Sequence, residues 1–558
     1  MQVSITPRQL HGEIKTVASK SQAHRMLICA AFADKPTDIV CEELSQDIEA
    51  TAGCLTAMGA DISYSKETRI FHVVPVDRRA IDCVRNSDAV SNSDLRASEA
   101  DGACDAVTKV PYTHVQGSLI SEKSQGNACA SQTTIDVGES GSTLRFILPV
   151  VAALGINTHI VMHGRLSERP LSPLWEELEA HGVKLTKNAD STMDVEGRLS
   201  GSRYSIAADV SSQFISGLLF AAPLIADKTG DFELELTGNV ESINYILMTI
   251  DALKSFGVKV ERIDKSSDGT IIDSDGCTED GAGNVSAIGA AVNHSDNHSN
   301  KGSVSSILRI SRDASYTSPG ELKVEGDWSN GAFWICAAAL TGDTLKVTGL
   351  RADSTQGDRA VTKLRDAIIN GRDIVGRKTT AVDATTEQES DLTKANDAKQ
   401  DAGDKAASAN KVGSECAKKN AAAAASEPVI IDARNVPDLV PVLSVLAAGV
   451  KGETVFTHAE RLRIKESDRI KSTVTMLKAL GAQAEETEDG LRVIGTGKKL
   501  RGGVIDSCND HRIAMSAAVA SIICEGEVTI LTAQAVRKSY PAFWEDFARL
   551  GGCVDVIM

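Results

Sequence analysis

Leu477-Lys478-Ala479-Leu480-Gly481-Ala482-Gln483-Ala484 decides how this chain is built, because its pattern returns along the sequence. A helix-like run ends, Gly follows, and an apolar strand begins. The same order is read in LTAMGADI at 55–62, LEAHGVKL at 178–185, LKSFGVKV at 253–260 and FARLGGCVDV at 547–556. A degenerate copy, LRDAIINGRDI, lies at 364–374. Glycine enters the left-handed conformation that closes a helix without a Cβ clash, so each copy predicts a helix end and a release into a strand. Five clear copies and the degenerate one predict about six α/β units rather than one doubly wound sheet. The spacing exceeds that of solenoid repeats, so each unit is read as a small subdomain.

Three stretches interrupt this order, at about 78–131, 262–304 and 376–427. They are rich in Ser, Asp, Ala, Asn or Lys and poor in apolar periodicity. Such composition does not bury enough apolar surface to offset the entropy of ordering, which predicts mobile surface insertions. His294 and His298, in the tract NHSDNHSNKGS, are read as solvated side chains rather than metal ligands.

The chain has 558 residues, 42% hydrophobic and only 4% aromatic, so small residues must carry much of the packing in two or more cores. A formal net charge of −17 argues against nucleic acid as a partner, since phosphate-backbone binding needs a basic face. No apolar run is long enough to span a membrane, and MQVSITPRQLHGEIK lacks a signal-peptide core, which places the expected location in the cytoplasm. Twelve cysteines fall at irregular spacings without a CxxC pair. Cys29, Cys54, Cys336 and Cys524 lie in apolar runs and are read as small hydrophobes; neither a metal site nor a disulfide framework is expected.

Within this acidic chain the cations are concentrated. Arg461, Arg463, Lys465 and Arg469 share nine residues with Glu466 and Asp468. On a helix, Lys465 and Arg469 would share a face and Glu466 would adjoin Arg469. Further clusters fall at Ser19–Arg25, Gly138–Arg145, Arg165–Arg169 and Asn509–Arg512. A solvated, salt-bridged surface explains any one of them; together they point to an anion. Lys20 and Arg25 stand before the apolar run MLICAAFA, and GESGSTLR at 138–145 stands before FILPVVAAL. Small residues ahead of a helix expose backbone N–H groups to an anion. Ser211, Ser212 and Gln213 offer three adjacent hydrogen-bonding side chains before ISGLLFAAPL, more than a helix cap uses, which suits a polyhydroxylated ligand.

These strings together resemble the 5-enolpyruvylshikimate-3-phosphate synthase family. The motifs are SKSQAHR at 19–25, GESGSTLR at 138–145, GRLSERP at 164–170, VSSQF at 210–214 and SPGELKVEGDWS at 318–329. STQGD at 354–358, NVPD at 435–438, RIKESDR at 463–469 and NDHR at 509–512 continue them in family order. The resemblance implies an α/β fold of two domains, an inside-out α/β barrel built from six βαβαββ units with long polar surface insertions. One domain would span 19–320, and the other, discontinuous, 1–18 and 321–558. It also implies transfer of the enolpyruvyl group of phosphoenolpyruvate to the 5-hydroxyl of shikimate 3-phosphate by addition and elimination, with no metal and no organic cofactor. The expected partners are those two substrates only, without nucleic acid or membrane, and the expected state is a monomer.

Carried over by motif, Lys20, Asp438 and Glu466 are the implied catalytic residues, with Asp438 as base and Glu466 moving the methylene proton. Shikimate 3-phosphate would be held by Lys20, Ser21, Arg25, Ser211, Ser212, Gln213, Ser242, Tyr245, Asp438 and Lys465. Phosphoenolpyruvate would be held by Lys20, Gly141, Arg165, Gln213, Arg469 and Arg512, whose forked guanidinium groups fit carboxylate and phosphate. The chain departs from the family at Glu139, Phe146, Arg461 and Gln534. Gln534 is read at the place of a Lys on phosphoenolpyruvate, with Lys538 expected to reach the same phosphate and Arg537 turned to solvent. The UDP-N-acetylglucosamine enolpyruvyl transferases are the nearest alternative. They are disfavoured by Ser21, by VSSQF and by the context of Cys104 and Cys129. A catalytically dead homologue would need losses among Lys20, Asp438, Glu466 or Arg469.

Overall fold

Each clear copy of the glycine pattern closes a helix in the computed structural model, which describes residues 1–77, 132–226, 229–265, 271–272, 305–342, 344–370, 372–375 and 427–557. Gly59, Gly182, Gly257, Gly481 and Gly551 all take positive φ, between +78° and +106°. Strands then start at Asp61, Val183, Val260, Gln483 and Cys553. The degenerate copy ends the helix Val361–Ile369 but continues only to an isolated bridge between Ile374 and Val450.

The strands of the described residues form six sheets. One pairing scheme recurs in the larger ones. Thr133–Asp136 runs parallel to Thr158–Val161, which is antiparallel to Thr192–Gly197, which is antiparallel to Val183–Lys187. Val429–Asp432, Gly452–Thr457, Leu491–Gly495 and Gln483–Glu486 repeat it. The N-terminal strand Gln2–Thr6 lies between Val528–Leu531 and Cys553–Ile557, antiparallel to both, so the two ends of the chain complete one sheet.

Four of the six parallel pairs among the described residues are joined by a helix: Gly141–Leu154, Ser212–Ala221, Val440–Gly449 or His511–Ala520. Gly141–Leu154, Ser212–Ala221, Trp328–Thr341, Val440–Gly449 and His511–Ala520 are buried along nearly their whole length. A helix apolar on all sides must be covered on all sides, and small residues make this possible. At Gly217 a Cβ would lie 2.3 Å from the Arg145 carbonyl oxygen, so only glycine lets these two helices approach so closely. Cys29, Cys54, Cys336 and Cys524 are buried in the same way. Burial pushes the last three thiols up to about 12.

The chain divides into two compact units, residues 1–19 with 325–558, and residues 20–324. In the second, the helices Lys20–Ala31, Gln46–Ala57, Gly141–Leu154, Ser212–Ala221 and Ile243–Ser255 pack against one another in turn. In the first, Trp328–Thr341, Val440–Gly449 and His511–Ala520 pack mutually, and Arg469–Ala479 packs on the latter two.

One of the expected insertions needs correction. Residues 262–265 belong to the strand Val260–Lys265, which pairs with Ser305–Ile310, and Ile271–Ile272 adds a short edge strand. Ile263 stands opposite Ile307, while Arg262 donates to Ser306 Oγ at 3.1 Å. The ladder satisfies the backbone, which a composition argument does not register. The remainder of that stretch, with His294 and His298, lies outside the described residues, as do 78–131 and 376–426. Among the described residues no helix is long and apolar enough to cross a membrane.

Candidate active site

Arg469 is the centre of the constellation in the first unit. It opens the helix Arg469–Ala479, whose N-cap Asp468 accepts from Lys471 N, and its side chain is 2% exposed. Its Nη1 lies 2.7 Å from Asp438 Oδ1, its Nη2 2.5 Å from Glu466 Oε2 and its Nε 2.8 Å from Asp510 Oδ2. Arg512 closes the group, with Nη2 3.1 Å from Asp438 Oδ2. Asp510 is fully buried; it also accepts from Ser467 Oγ at 3.0 Å and caps the helix His511–Ala520 through Arg512 N at 2.9 Å. A buried guanidinium is tolerable only when its donors meet acceptors, and here three carboxylates supply them.

The cation-rich stretch is therefore not one helix. Glu460–Ile464 is a 3-10 turn, Lys465 is extended, and the helix starts four residues later. Ser467 and Asp468 prefer to bond backbone and neighbouring side chains at a helix start. They place Lys465 and Glu466 in a loop whose side chains return to Asp438 and Arg469.

Electrostatics fixes the charge of Asp438. Burial alone would raise the Asp438 carboxyl, but Arg512, Arg469 and Lys465 outweigh it and hold it well below the usual carboxylate range. Desolvation pulls Lys465 down to about 8, against the attraction of Asp438 and with added repulsion from Arg461. Asp438 is thus ionised at neutral pH while remaining only partly exposed, the condition for a carboxylate base. Lys538, on the turn Ala533–Lys538, is buried and donates to Asn509 O at 2.7 Å, whereas Arg537 is exposed. Gln534 Oε1 is buried without a hydrogen-bond partner.

The second unit assembles its own polar group around helix starts. Lys20 and Ser21 lie in the first turn of Lys20–Ala31, within the helix and not ahead of it. Lys20 Nζ is 2.8 Å from Asp47 Oδ2. A buried chain fixes the neighbouring helices: His24 Nδ1 to Thr51 Oγ1 at 2.7 Å, Thr51 to Thr143 at 2.7 Å, and Thr143 to the cap Ser140 Oγ at 2.8 Å. Arg25 is 2% exposed and bonds Thr249 Oγ1, Ser21 O and Tyr245 O at 2.9, 2.6 and 2.9 Å. It ties the segment after Ser242, itself buried with φ +54°, to the first helix. Phe146, where the family pattern has Pro, lies under the Arg25 guanidinium at 5.0 Å.

The helix expected after GESGSTLR begins inside it, at Gly141, with Ser140 as cap. Likewise, of the three polar residues of VSSQF only Ser211 precedes the helix, accepting from Gln213 N, while Ser212 and Gln213 sit in the first turn. Gln213 links the motifs, its Oε1 accepting from Arg145 Nη1 at 2.9 Å and its Nε2 donating to Ser142 Oγ at 2.8 Å. Two residues missing from the expected set belong here. A Cβ on Gly141 would lie 2.5 Å from Arg169 Nη1 and 2.8 Å from Arg145 Nη1, so two guanidinium groups converge on this helix start. Arg145 lies in GESGSTLR and Arg169 in GRLSERP, but their convergence on Gly141 is visible only in the fold. Arg165 is by contrast 60% exposed and paired with Glu168 at 2.9 Å.

The comparisons with known proteins agree along the chain. The sequence pattern of the family described as EPSP synthase (3-phosphoshikimate 1-carboxyvinyltransferase) matches residues 5–90, 107–280 and 302–547. The chain is 32% identical over 558 residues to a 3-phosphoshikimate 1-carboxyvinyltransferase of Clostridium novyi, covering 99% of this chain and 98% of the relative. It is 31% identical over 554 residues to the protein of the same name from Clostridium acetobutylicum, with the same coverage. In structure it is similar to an EPSP synthase from Acinetobacter baumannii, with a TM-score of 0.60, 20% identity and full coverage of both chains. This chain belongs to the EPSP synthase (3-phosphoshikimate 1-carboxyvinyltransferase) family.

Proposed function

We infer that the protein transfers the enolpyruvyl group of phosphoenolpyruvate to the 5-hydroxyl of shikimate 3-phosphate, releasing inorganic phosphate. The observation that carries this reading is Asp438, bonded at its two oxygens to Arg469 and Arg512, with Glu466 on the far side of the same Arg469. In the addition step Asp438 accepts the hydroxyl proton as that oxygen bonds to C2 of phosphoenolpyruvate, while Glu466 delivers a proton to the methylene carbon. In the elimination step the C2–O bond to phosphate breaks, the departing phosphate takes up the proton held on Asp438, and the methyl group returns a proton to Glu466, so both carboxyl groups are restored. Arg469 and Arg512 stabilise the negative charge of phosphoenolpyruvate without reorganising. Lys20, Ser21, Arg25, Ser211, Ser212, Gln213, Ser242 and Tyr245 serve shikimate 3-phosphate; Arg25, bonded to Ser21 O and Tyr245 O, acts by holding these two residues. The recurring strand scheme supports the six-unit inside-out barrel as the architecture. Incubation with both substrates should release phosphate and yield 5-enolpyruvylshikimate 3-phosphate, read by mass. Release with UDP-N-acetylglucosamine in place of shikimate 3-phosphate, and none with the latter, would overturn the assignment.

Lys538 is assigned to phosphoenolpyruvate in the place of a lysine at Gln534. Its ammonium is buried, and a charge-assisted bond contributes about 1.5–3 kcal/mol. Lys538→Ala should raise the KM for phosphoenolpyruvate at least about tenfold, equivalent to about 1.4 kcal/mol. The KM for shikimate 3-phosphate should stay within about twofold. Equal KM values in variant and wild type would remove Lys538 from the site.

A further inference from the structure

Asp358 is the buried acid that the mechanism above leaves unused. It sits in the 3-10 turn Gly357–Ala360 and is 2% exposed. Its Oδ2 is hydrogen-bonded to Ser329 Oγ, on the helix Trp328–Thr341, and its Oδ1 is buried with no hydrogen-bond partner. Asp510, equally buried, receives Arg469 Nε, Ser467 Oγ and Arg512 N. A buried carboxylate with a single donor and one bare oxygen is far costlier than a neutral acid in the same place, because a bare carbonyl oxygen forfeits only a neutral hydrogen bond. The turns carrying Asp358 and Asp438 both pack on the helix Trp328–Thr341. The charged groups that act on Asp358 there are Asp438, Arg512 and Asp327, the last of these capping that helix through Asn330 N.

We propose that Asp358 is carried as the neutral acid and is a positioning residue that keeps Arg512 committed to Asp438. Two carboxylates in one poorly solvated region do not both ionise unless each has its own cation. Arg469 and Arg512 are bonded to Asp438, so the proton resides on Asp358. Burial, then the charge of Asp438, push Asp358 up to about 7, with Arg512 and the Ser329 bond opposing them. Once Asp358 ionises, it competes for Arg512 and loosens the geometry of the base. The inference rests on Asp438 being the base, but its protonation arm requires no turnover.

The test is a carboxyl carbon-13 NMR titration of aspartate-labelled protein, with a parallel pH profile of kcat. In wild type one aspartate signal should move from acid to carboxylate with a midpoint near 7, and Asp358→Asn should remove it. Wild-type kcat should fall as pH rises through about 7, and the same variant should keep kcat within about threefold near pH 6 and lose that fall. A merely structural role would lower kcat equally at every pH. Ser329→Ala, which removes the bond favouring the charged form, should move the midpoint upward and keeps the idea testable if the Asn variant does not fold. A carboxylate signal for Asp358 throughout, or a midpoint unmoved in Ser329→Ala, overturns the proposal. A normal titration in a protein that lacks transferase activity would instead overturn the functional reading alone.

Discussion

Asp438→Asn should lower kcat for enolpyruvyl transfer by about 10²–10⁴-fold, the range for loss of a positioned general base. A thousandfold loss corresponds to about 4 kcal/mol of transition-state stabilisation. Asn keeps the shape of Asp, and its one carbonyl oxygen can still accept from Arg469 or Arg512. Its amide would, however, face the other guanidinium, donor against donor, and it accepts no proton from the substrate hydroxyl. The cations then lose a counter-charge, so affinity for the anionic phosphoenolpyruvate should not fall. Steady-state kinetics should therefore place the loss in kcat, with the KM for phosphoenolpyruvate within about threefold of wild type or lower. A kcat within about tenfold of wild type, in a variant with an unchanged thermal transition, would place the base elsewhere.

Arg469→Met should be the most destabilising single change in the first unit. Met fills the volume but leaves Asp438, Glu466 and Asp510 without their shared cation. Removing one partner from a buried ion-pair network costs about 3–5 kcal/mol, and for a unit of this size that lowers Tm by on the order of 10 °C. The pH dependence identifies the cause. Asp438 has a depressed folded pKa, so its contribution to stability is present above its unfolded value of about 4 and lost as pH falls below it. The gap in Tm between wild type and Arg469→Met should accordingly be large near neutral pH and narrow in acid. A gap independent of pH would mean that Arg469 matters for packing and not for charge.

The residue pattern alone determined the local order of the chain. Gly481 and its counterparts close helices because left-handed backbone is cheap only for glycine, a property that depends on no distant contact. The anion-binding character was legible for the same kind of reason: an acidic chain that places cations beside small residues in several short strings is gathering them. Which string does what was decided in three dimensions. Lys465 and Glu466 lie ahead of the helix because Asp468 caps the segment after them. Arg145 and Arg169 joined the site because Gly141 leaves room for both guanidinium groups, a fact no spacing reveals. Residues 262–265, polar enough to suggest a surface insertion, became a strand because Ser305–Ile310 supplies the hydrogen bonds. Asp358 was one letter of STQGD until burial and the neighbouring Asp438 set its charge. Propensity and capping act over a few residues and can be read from order. Protonation and pairing depend on which charges share a region of low polarity, and only folding brings those charges together.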